Sequence, residues 1–148
     1  MTASPIKLTP RLMTAVRYVR PGHLLCDVGT DHAYLPIWLC QTGVLTPVAL
    51  PDGVQSPGGA LCAIASDVRD GPVERARLHV AAAGLTDRIL TVRTDGLSGL
   101  ESYRPSDITV FGMGGELIAE ILRASPYLPQ AGLRLVLQPM SHGYDLRC

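Results

Sequence analysis

Leu24-Leu25-Cys26-Asp27-Val28-Gly29-Thr30-Asp31-His32-Ala33-Tyr34-Leu35-Pro36 is the stretch on which the reading of the whole chain depends. It opens as a short apolar run, the pattern of a buried strand. It breaks at Gly29 into a turn carrying Thr30, Asp31 and His32, then resumes at Ala33 as an apolar, helix-like segment. A strand that ends in a glycine turn and feeds a helix holds nucleotide-like cofactors at the carboxyl edge of a parallel sheet. Two carboxylates, Asp27 and Asp31, flank the glycine, and they bear on which cofactor that is.

On the N-terminal side, residues 8–20 read as a helix. Thr9 caps it, and Pro10 takes the first helical position, where a missing N–H costs nothing. Leu12, Val16 and Val19 share one face, and Pro21-Gly22 ends the element. On the other side, residues 33–41 continue as a helix with Gly43 just beyond its end. Residues 44–59 contain Pro47, Pro51 and Pro57 with Gly53, Gly58 and Gly59, so they read as a loop inserted at the surface. The segment is long for a helix-to-strand link, which usually takes roughly 2–6 residues.

A strand over 60–66 then ends at Asp67. Asp70-Gly71-Pro72 starts a helix, with Pro72 at its first position, and Gly84 closes it. Residues 90–92 form a third strand before the turn Thr94-Asp95-Gly96. Residues 107–111 form a fourth, followed by Gly112-Met113-Gly114-Gly115, a helix over 116–123 and a fifth strand over 133–137. This alternation predicts an α/β fold: one domain over residues 1–148 with a mostly parallel, doubly wound sheet.

Composition narrows the classes. The chain has 148 residues, 47% hydrophobic and 18% charged, which suits one globular domain with a sizeable core. No apolar run approaches the roughly 18 residues that span a bilayer, and the first ten residues lack the apolar core of a signal sequence. The expected location is cytoplasmic. Cys26, Cys40, Cys62 and Cys148 form no Cys-x-x-Cys pair and no zinc spacing, so reduced thiols and no metal are expected. Thirteen basic and thirteen acidic side chains cancel. A protein gripping nucleic acid through phosphates usually carries a basic excess, so any such grip is either local or supplied from outside this chain.

Four strand ends carry polar or glycine-rich turns that fall on one edge of the sheet: 27–32, 67–68, 95–96 and 112–115. Asp67 is placed to accept hydrogen bonds from both hydroxyls of a ribose. Its distance from the first turn exceeds the usual roughly 20 residues, and the 44–59 insertion accounts for the excess. Asp95 is placed to accept from an exocyclic amine such as that of adenine. Taken singly, each of these acids is more often a turn or helix cap; their coincidence at successive strand ends indicates an adenosine-containing cofactor. A dinucleotide turn reads Gly-x-Gly-x-x-Gly so that backbone can approach a pyrophosphate. This turn has one glycine, and Asp31 stands where phosphate charge would lie, which is costly in a desolvated pocket. S-adenosylmethionine carries a sulfonium and an ammonium and no phosphate, and so suits Asp27 and Asp31 better.

Residues 27–36, Asp-Val-Gly-Thr-Asp-His-Ala-Tyr-Leu-Pro, resemble the signature Asp-Ile-Gly-Ser-Asp-His-Ala-Tyr-Leu-Pro of the bacterial TrmK family, tRNA adenine-N1 methyltransferases that act on the adenine at position 22. Leu8-Thr9-Pro10-Arg11-Leu12, Asp70-Gly71-Pro72, Asp95-Gly96-Leu97, Gly112-Met113-Gly114-Gly115 and Leu137-Gln138-Pro139 follow in the family's order. The resemblance implies a Rossmann-like class I methyltransferase fold, S-adenosylmethionine as cofactor and tRNA as partner. It implies Arg11, Asp27, Gly29, Asp67, Val68, Asp95, Gly96, Gly112 and Met113 as cofactor-binding residues, and Tyr34 and Gly114 as contacts to the target nucleotide. Three departures stand out: Asp67 where the family commonly has Glu, Met140 where it commonly has Asn, and the 44–59 insertion. Family members continue into two more strands and a C-terminal helical domain, so this sheet is expected to be truncated after its fifth strand. The strand over 133–137 would then be an apolar edge, open to self-association.

Adenine N1 has an in-plane lone pair and needs no base before it attacks a methyl group. What the protein must supply is alignment and a carboxylate for the positive charge that develops on the purine. Asp31 is the candidate for that task and His32 the second; a hydrogen-bonded structural histidine is the competing reading of His32. Because N1 lies in or near base pairing, the nucleotide has to be unstacked, and Tyr34 is either its stacking surface or a core residue. Two other functions fit the same residues: a methyltransferase acting on another RNA or a small molecule, and a domain that binds the cofactor without turnover.

Overall fold

The computed structural model describes residues 7–54, 56, 58–113, 116, 119, 120, 123 and 134–139. Five strands, β1 (Leu25–Val28), β4 (Ala63–Asp67), β5 (Ile89–Arg93), β6 (Asp107–Met113) and β7 (Arg134–Pro139), form one sheet in the order β5-β4-β1-β6-β7. All four neighbouring pairs are parallel. Their carboxyl ends therefore share one edge, and the strand order reverses between β1 and β6, where open α/β sheets bind ligands.

The central strands β1 and β4 and residues 107–110 of β6 are buried on both faces because their apolar residues alternate between two cores. Leu25, Ala63, Ala65 and Ile89 face one cluster, with Ala15 of α1 (Pro10–Val16), Leu35, Ile37 and Leu39 of α2 (Tyr34–Gln41), and Ala76 and Val80 of α3 (Asp70–Ala82). Cys26, Val28, Ile64, Ile108 and Val110 face the other, with Leu61, Leu97 and Leu100.

Local signals set several boundaries as expected. Thr9 Oγ1 accepts from the Leu12 N–H at 3.3 Å, with Pro10 next to it. At the end of α3, the Gly84 N–H bonds Ala81 O at 3.0 Å and the Leu85 N–H bonds Val80 O at 3.0 Å. This is the paired closure that a left-handed glycine permits, and Gly84 has φ +72°.

Five expectations are corrected. The helix expected over 8–20 stops at Val16, because the Arg20 N–H is drawn to Asp107 Oδ2 at 2.6 Å while its guanidinium Nε donates to Oδ1 at 2.8 Å. Pro72 is the third residue of α3 rather than the first, still within the turn whose N–H groups have no acceptor. The 44–59 segment is not simply a surface loop: β2 (Val48–Ala49) pairs antiparallel with β3 (Ala60–Leu61), and Val48 and Leu50 pack on the second core. The strand expected over 60–66 divides at Cys62, whose N–H turns to Arg88 O at 2.8 Å. Gly112 and Met113, expected in a turn, lie within β6, where the register against β7 slips between Phe111 and Met113. Gly114, Gly115, Met140 and Cys148 lie outside the described residues.

β7 stands at the sheet edge, and Leu135 is 39% exposed there. Cys26, Cys40 and Cys62 are free thiols, and burial pushes the Cys26 thiol up to about 12, with the neighbouring Asp27 charge adding to it. Among the described residues, no helix is long and apolar enough to cross a membrane.

Candidate functional site

The site starts inside the sheet. Asp27, in β1, has Ala65 of β4 on one flank and Thr109 of β6 on the other. Alternation turns its side chain inward, and only 5% of the residue is exposed. Thr109 Oγ1 donates to Oδ1 at 2.8 Å, and Thr30 Oγ1, from the following turn, donates to Oδ2 at 2.8 Å. Burial raises its pKa from 3.8 to about 6; the two threonine hydroxyls oppose that rise and the charge of Asp67 adds to it. Both oxygens are thus engaged within the protein. Asp27 shapes the turn by tying Thr30 to the sheet.

The turn is held in an unusual path. Gly29 has φ +72°, and Asp31 and Ala33 have φ +55° and +61°. Left-handed backbone is free for glycine and tolerated by aspartate, but it costs an alanine about 1 kcal/mol. The turn keeps this path because β4 captures its backbone. The Gly29 and Thr30 N–H groups both donate to Ser66 O, at 2.8 and 2.9 Å, and the Asp31 N–H donates to Asp67 Oδ2 at 3.4 Å. Three successive N–H groups that would cradle a phosphate in a dinucleotide site are directed into the protein instead.

Side chains of Asp31, His32 and Tyr34 line an open pocket of about 220 Å³, whose other walls are Gly29, Thr30 and the start of α1 at Thr9, Arg11 and Leu12. Arg11 thus joins the Asp31 turn, although it stands 20 positions before Asp31 in the sequence. Asp31 Oδ1 accepts from Arg75 Nη2 at 2.9 Å, and its Oδ2 lies 3.7 Å from His32 Nε2. The His32 ring stacks on Tyr34, with centroids 4.8 Å apart and planes 9° from parallel. Its Nδ1 is buried with no hydrogen-bond partner among the described residues.

The remaining expected cofactor residues stand on neighbouring strand ends, outside that pocket's wall. Asp67 is buried at the end of β4, where Oδ1 accepts from the Arg69 N–H at 3.2 Å and from Arg69 Nε at 3.5 Å. Val68 follows it, 49% exposed. Asp95 is exposed and Gly96 buried after β5, and the Asp67 carbonyl accepts from the Thr94 N–H at 2.9 Å, which joins the two strand ends. Gly112 and Met113 end β6 on the same edge.

Arg75 and His79 of α3 and Thr109 of β6 were not singled out from sequence. For the first two, the available signal was their spacing of four on the helix that follows Asp67, which puts them on one face. Among the described residues, no group of three or more His, Cys, Asp or Glu side chains is placed to hold a metal ion.

Comparison with known proteins identifies the family of the chain. The chain is 37% identical over 142 residues to the tRNA (adenine(22)-N(1))-methyltransferase of Bacillus subtilis, covering 96% of this chain and 53% of that protein. The crystal structure of the B. subtilis m1A22 tRNA methyltransferase TrmK superposes with a TM-score of 0.77 at 34% identity, over 95% of this chain and 54% of that one. Streptococcus pneumoniae Sp1610 in complex with S-adenosyl-L-methionine superposes equally well, at 37% identity over 95% of this chain and 59% of that one. The chain thus spans about half the length of the curated relative it matches. Residues 8–148 match the methyltransferase domain family, and the chain belongs to that family.

Proposed function

We propose that this domain binds S-adenosylmethionine along the carboxyl edge of β1, β4, β5 and β6 and directs its methyl group to N1 of an adenine in tRNA. The observation that carries the cofactor class is the turn after β1. Its N–H groups are spent on Ser66 O and Asp67 Oδ2, and an acid, Asp31, faces the pocket. Such a turn repels a pyrophosphate and favours a cationic ligand. The tRNA assignment is supported by the names of the relatives, which are tRNA methyltransferases.

When bound, S-adenosylmethionine supplies a methyl group activated by a sulfonium. Asp67 and Asp95 hold the ribose and the adenine amine of the cofactor. Arg11, Gly29, Val68, Gly96, Gly112 and Met113 line its bed, and Asp27 holds the turn from beneath. Asp31 faces the reacting base and stabilises the charge that appears on it; His32 assists at the same position. Tyr34 and Gly114 contact the target nucleotide. A tRNA substrate goes with a cytoplasmic location. The exposed edge at Leu135 supports pairing between copies through β7.

Two measurements test this reading in sequence. Calorimetry with S-adenosylmethionine reads the cofactor site. Transfer of labelled methyl to tRNA, against small acceptors, reads the substrate. Transfer to tRNA that disappears in Asp31→Ala while cofactor binding persists supports the assignment. Binding without transfer leaves a cofactor-binding module, and transfer only to a small acceptor replaces the tRNA assignment.

A further inference from the structure

We propose that Arg75 and His79, one helical turn apart on α3, are positioning residues that aim the Asp31–His32 turn at the reacting base. The proposal rests on the reading of Asp31 and His32 as the methyl-transfer site. β4 fixes the turn's backbone through Ser66 O and Asp67 Oδ2, but those contacts leave the side chains undirected. The α3 helix supplies the direction from the opposite side.

Arg75 Nη2 donates to Asp31 Oδ1 at 2.9 Å. With one oxygen held there, the other carboxylate oxygen is set 3.7 Å from His32 Nε2. His79 acts on the next residue in two ways. Its Nδ1–H donates to the His32 carbonyl at 2.9 Å, and its ring lies 5.3 Å from the His32 ring and 5.2 Å from that of Tyr34. That stack and the Asp31 carboxylate beside Nε2 together set where the His32 imidazole points, because among the described residues no hydrogen bond to the ring does. Its Nδ1 has no partner among the described residues, and 3.7 Å from Nε2 to Asp31 is too long for one.

The Arg75–Asp31 pair is about half exposed on each side, 48% and 47%. Exposed pairs contribute little to stability. Misplacing a reacting group by about 1 Å, in contrast, costs on the order of a hundredfold in rate. Loss of either α3 residue therefore separates rate from folding, which a purely structural role would not do.

The test compares Arg75→Ala, Arg75→Lys, His79→Phe and His79→Asn in the intact protein. His79→Phe keeps a ring and loses the donor; His79→Asn keeps a donor near the Nδ1 position and loses the ring. The expected result is a kcat for methyl transfer to tRNA lowered about tenfold or more in Arg75→Ala. KM for both substrates stays within about threefold, the melting temperature holds, and Arg75→Lys recovers most of the rate. Both His79 variants lower kcat with the same split. Wild-type kcat in Arg75→Ala and His79→Phe overturns the proposal. So does a parallel fall of kcat and melting temperature with Lys no better than Ala.

A second readout needs no turnover. In NMR spectra of histidine-labelled protein, the His32 ring signals carry the ring-current shift of Tyr34 and His79. They move toward free-histidine positions in Arg75→Ala and stay in place in Arg75→Lys. Unmoved signals in Arg75→Ala refute the clamp. Absence of methyl transfer by the wild type refutes the proposed function instead, and the spectra still decide the clamp.

Discussion

Replacing Asp27 by Asn should change the pH dependence of stability in a direction fixed by burial. The carboxyl group is 5% exposed and titrates near 6 rather than 3.8, chiefly because burial disfavours its charged form. That gap corresponds to roughly 3 kcal/mol at about 1.4 kcal/mol per pH unit. The folded state binds this proton more tightly than the unfolded state does. The associated stability is therefore fully present below about pH 4, declines as pH rises to about 6, and is absent above it. Asparagine has the same shape and no charge to bury. Its carbonyl can accept from Thr109 Oγ1, and its amide can donate to the Thr30 hydroxyl once that hydroxyl rotates.

Urea denaturation of both proteins at about pH 4 and about pH 7 isolates the effect, since other titrating groups largely cancel in the difference. The Asp27→Asn protein should gain up to about 3 kcal/mol relative to wild type between the two pH values, whatever the offset at low pH. A difference that does not change with pH, or that favours wild type at the higher pH, would refute the account of Asp27 as a carboxylate held against its own burial.

Arg20→Ala strips the guanidinium from Asp107, whose side chain is fully buried, and should cost about 3 kcal/mol in urea unfolding; a loss under about 1 kcal/mol would show that the Arg20 backbone N–H alone suffices. Gly29→Ala forces a side chain onto φ +72°, so it should cost about 1 kcal/mol in stability and weaken S-adenosylmethionine binding measured by calorimetry, and an unchanged affinity would remove Gly29 from the cofactor bed. Leu135→Lys places a charge on the exposed sheet edge and should abolish any self-association seen by gel filtration with light scattering; a dimer that survives the change does not form through β7.

The elements legible in the sequence were those whose causes are local. Thr9-Pro10 caps a helix by its own geometry, Gly84 closes one, and the apolar alternation of 63–67 or 107–110 needs only the two buried faces of a parallel sheet. The turn after β1 was legible for the same reason, since its acids and its single glycine are adjacent in sequence. What could not be read depends on partners distant along the chain. The first helix gives way at Val16 because Asp107, far away in sequence, offers Arg20 a buried partner. Val48 and Ala49 become a strand only because Ala60 and Leu61 come back beside them, and the prolines and glycines between read correctly as a connection but conceal what they connect.

The same distinction divides the site. Asp27, Asp31 and Asp67 announced themselves as acids at strand ends. Asp27 reads from sequence as a cofactor-binding residue, but the partners of its two oxygens, Thr30 and Thr109, become visible only in the fold, since the second lies on another strand. Arg75 and His79 resembled ordinary positions of a solvated helix until α3 was packed against the turn. Sequence therefore identifies groups that carry chemistry more readily than groups that aim it, because aiming is a property of packing. The α3 clamp follows from that asymmetry: a turn bent through two left-handed non-glycine residues keeps one shape only where its surroundings hold it from both sides.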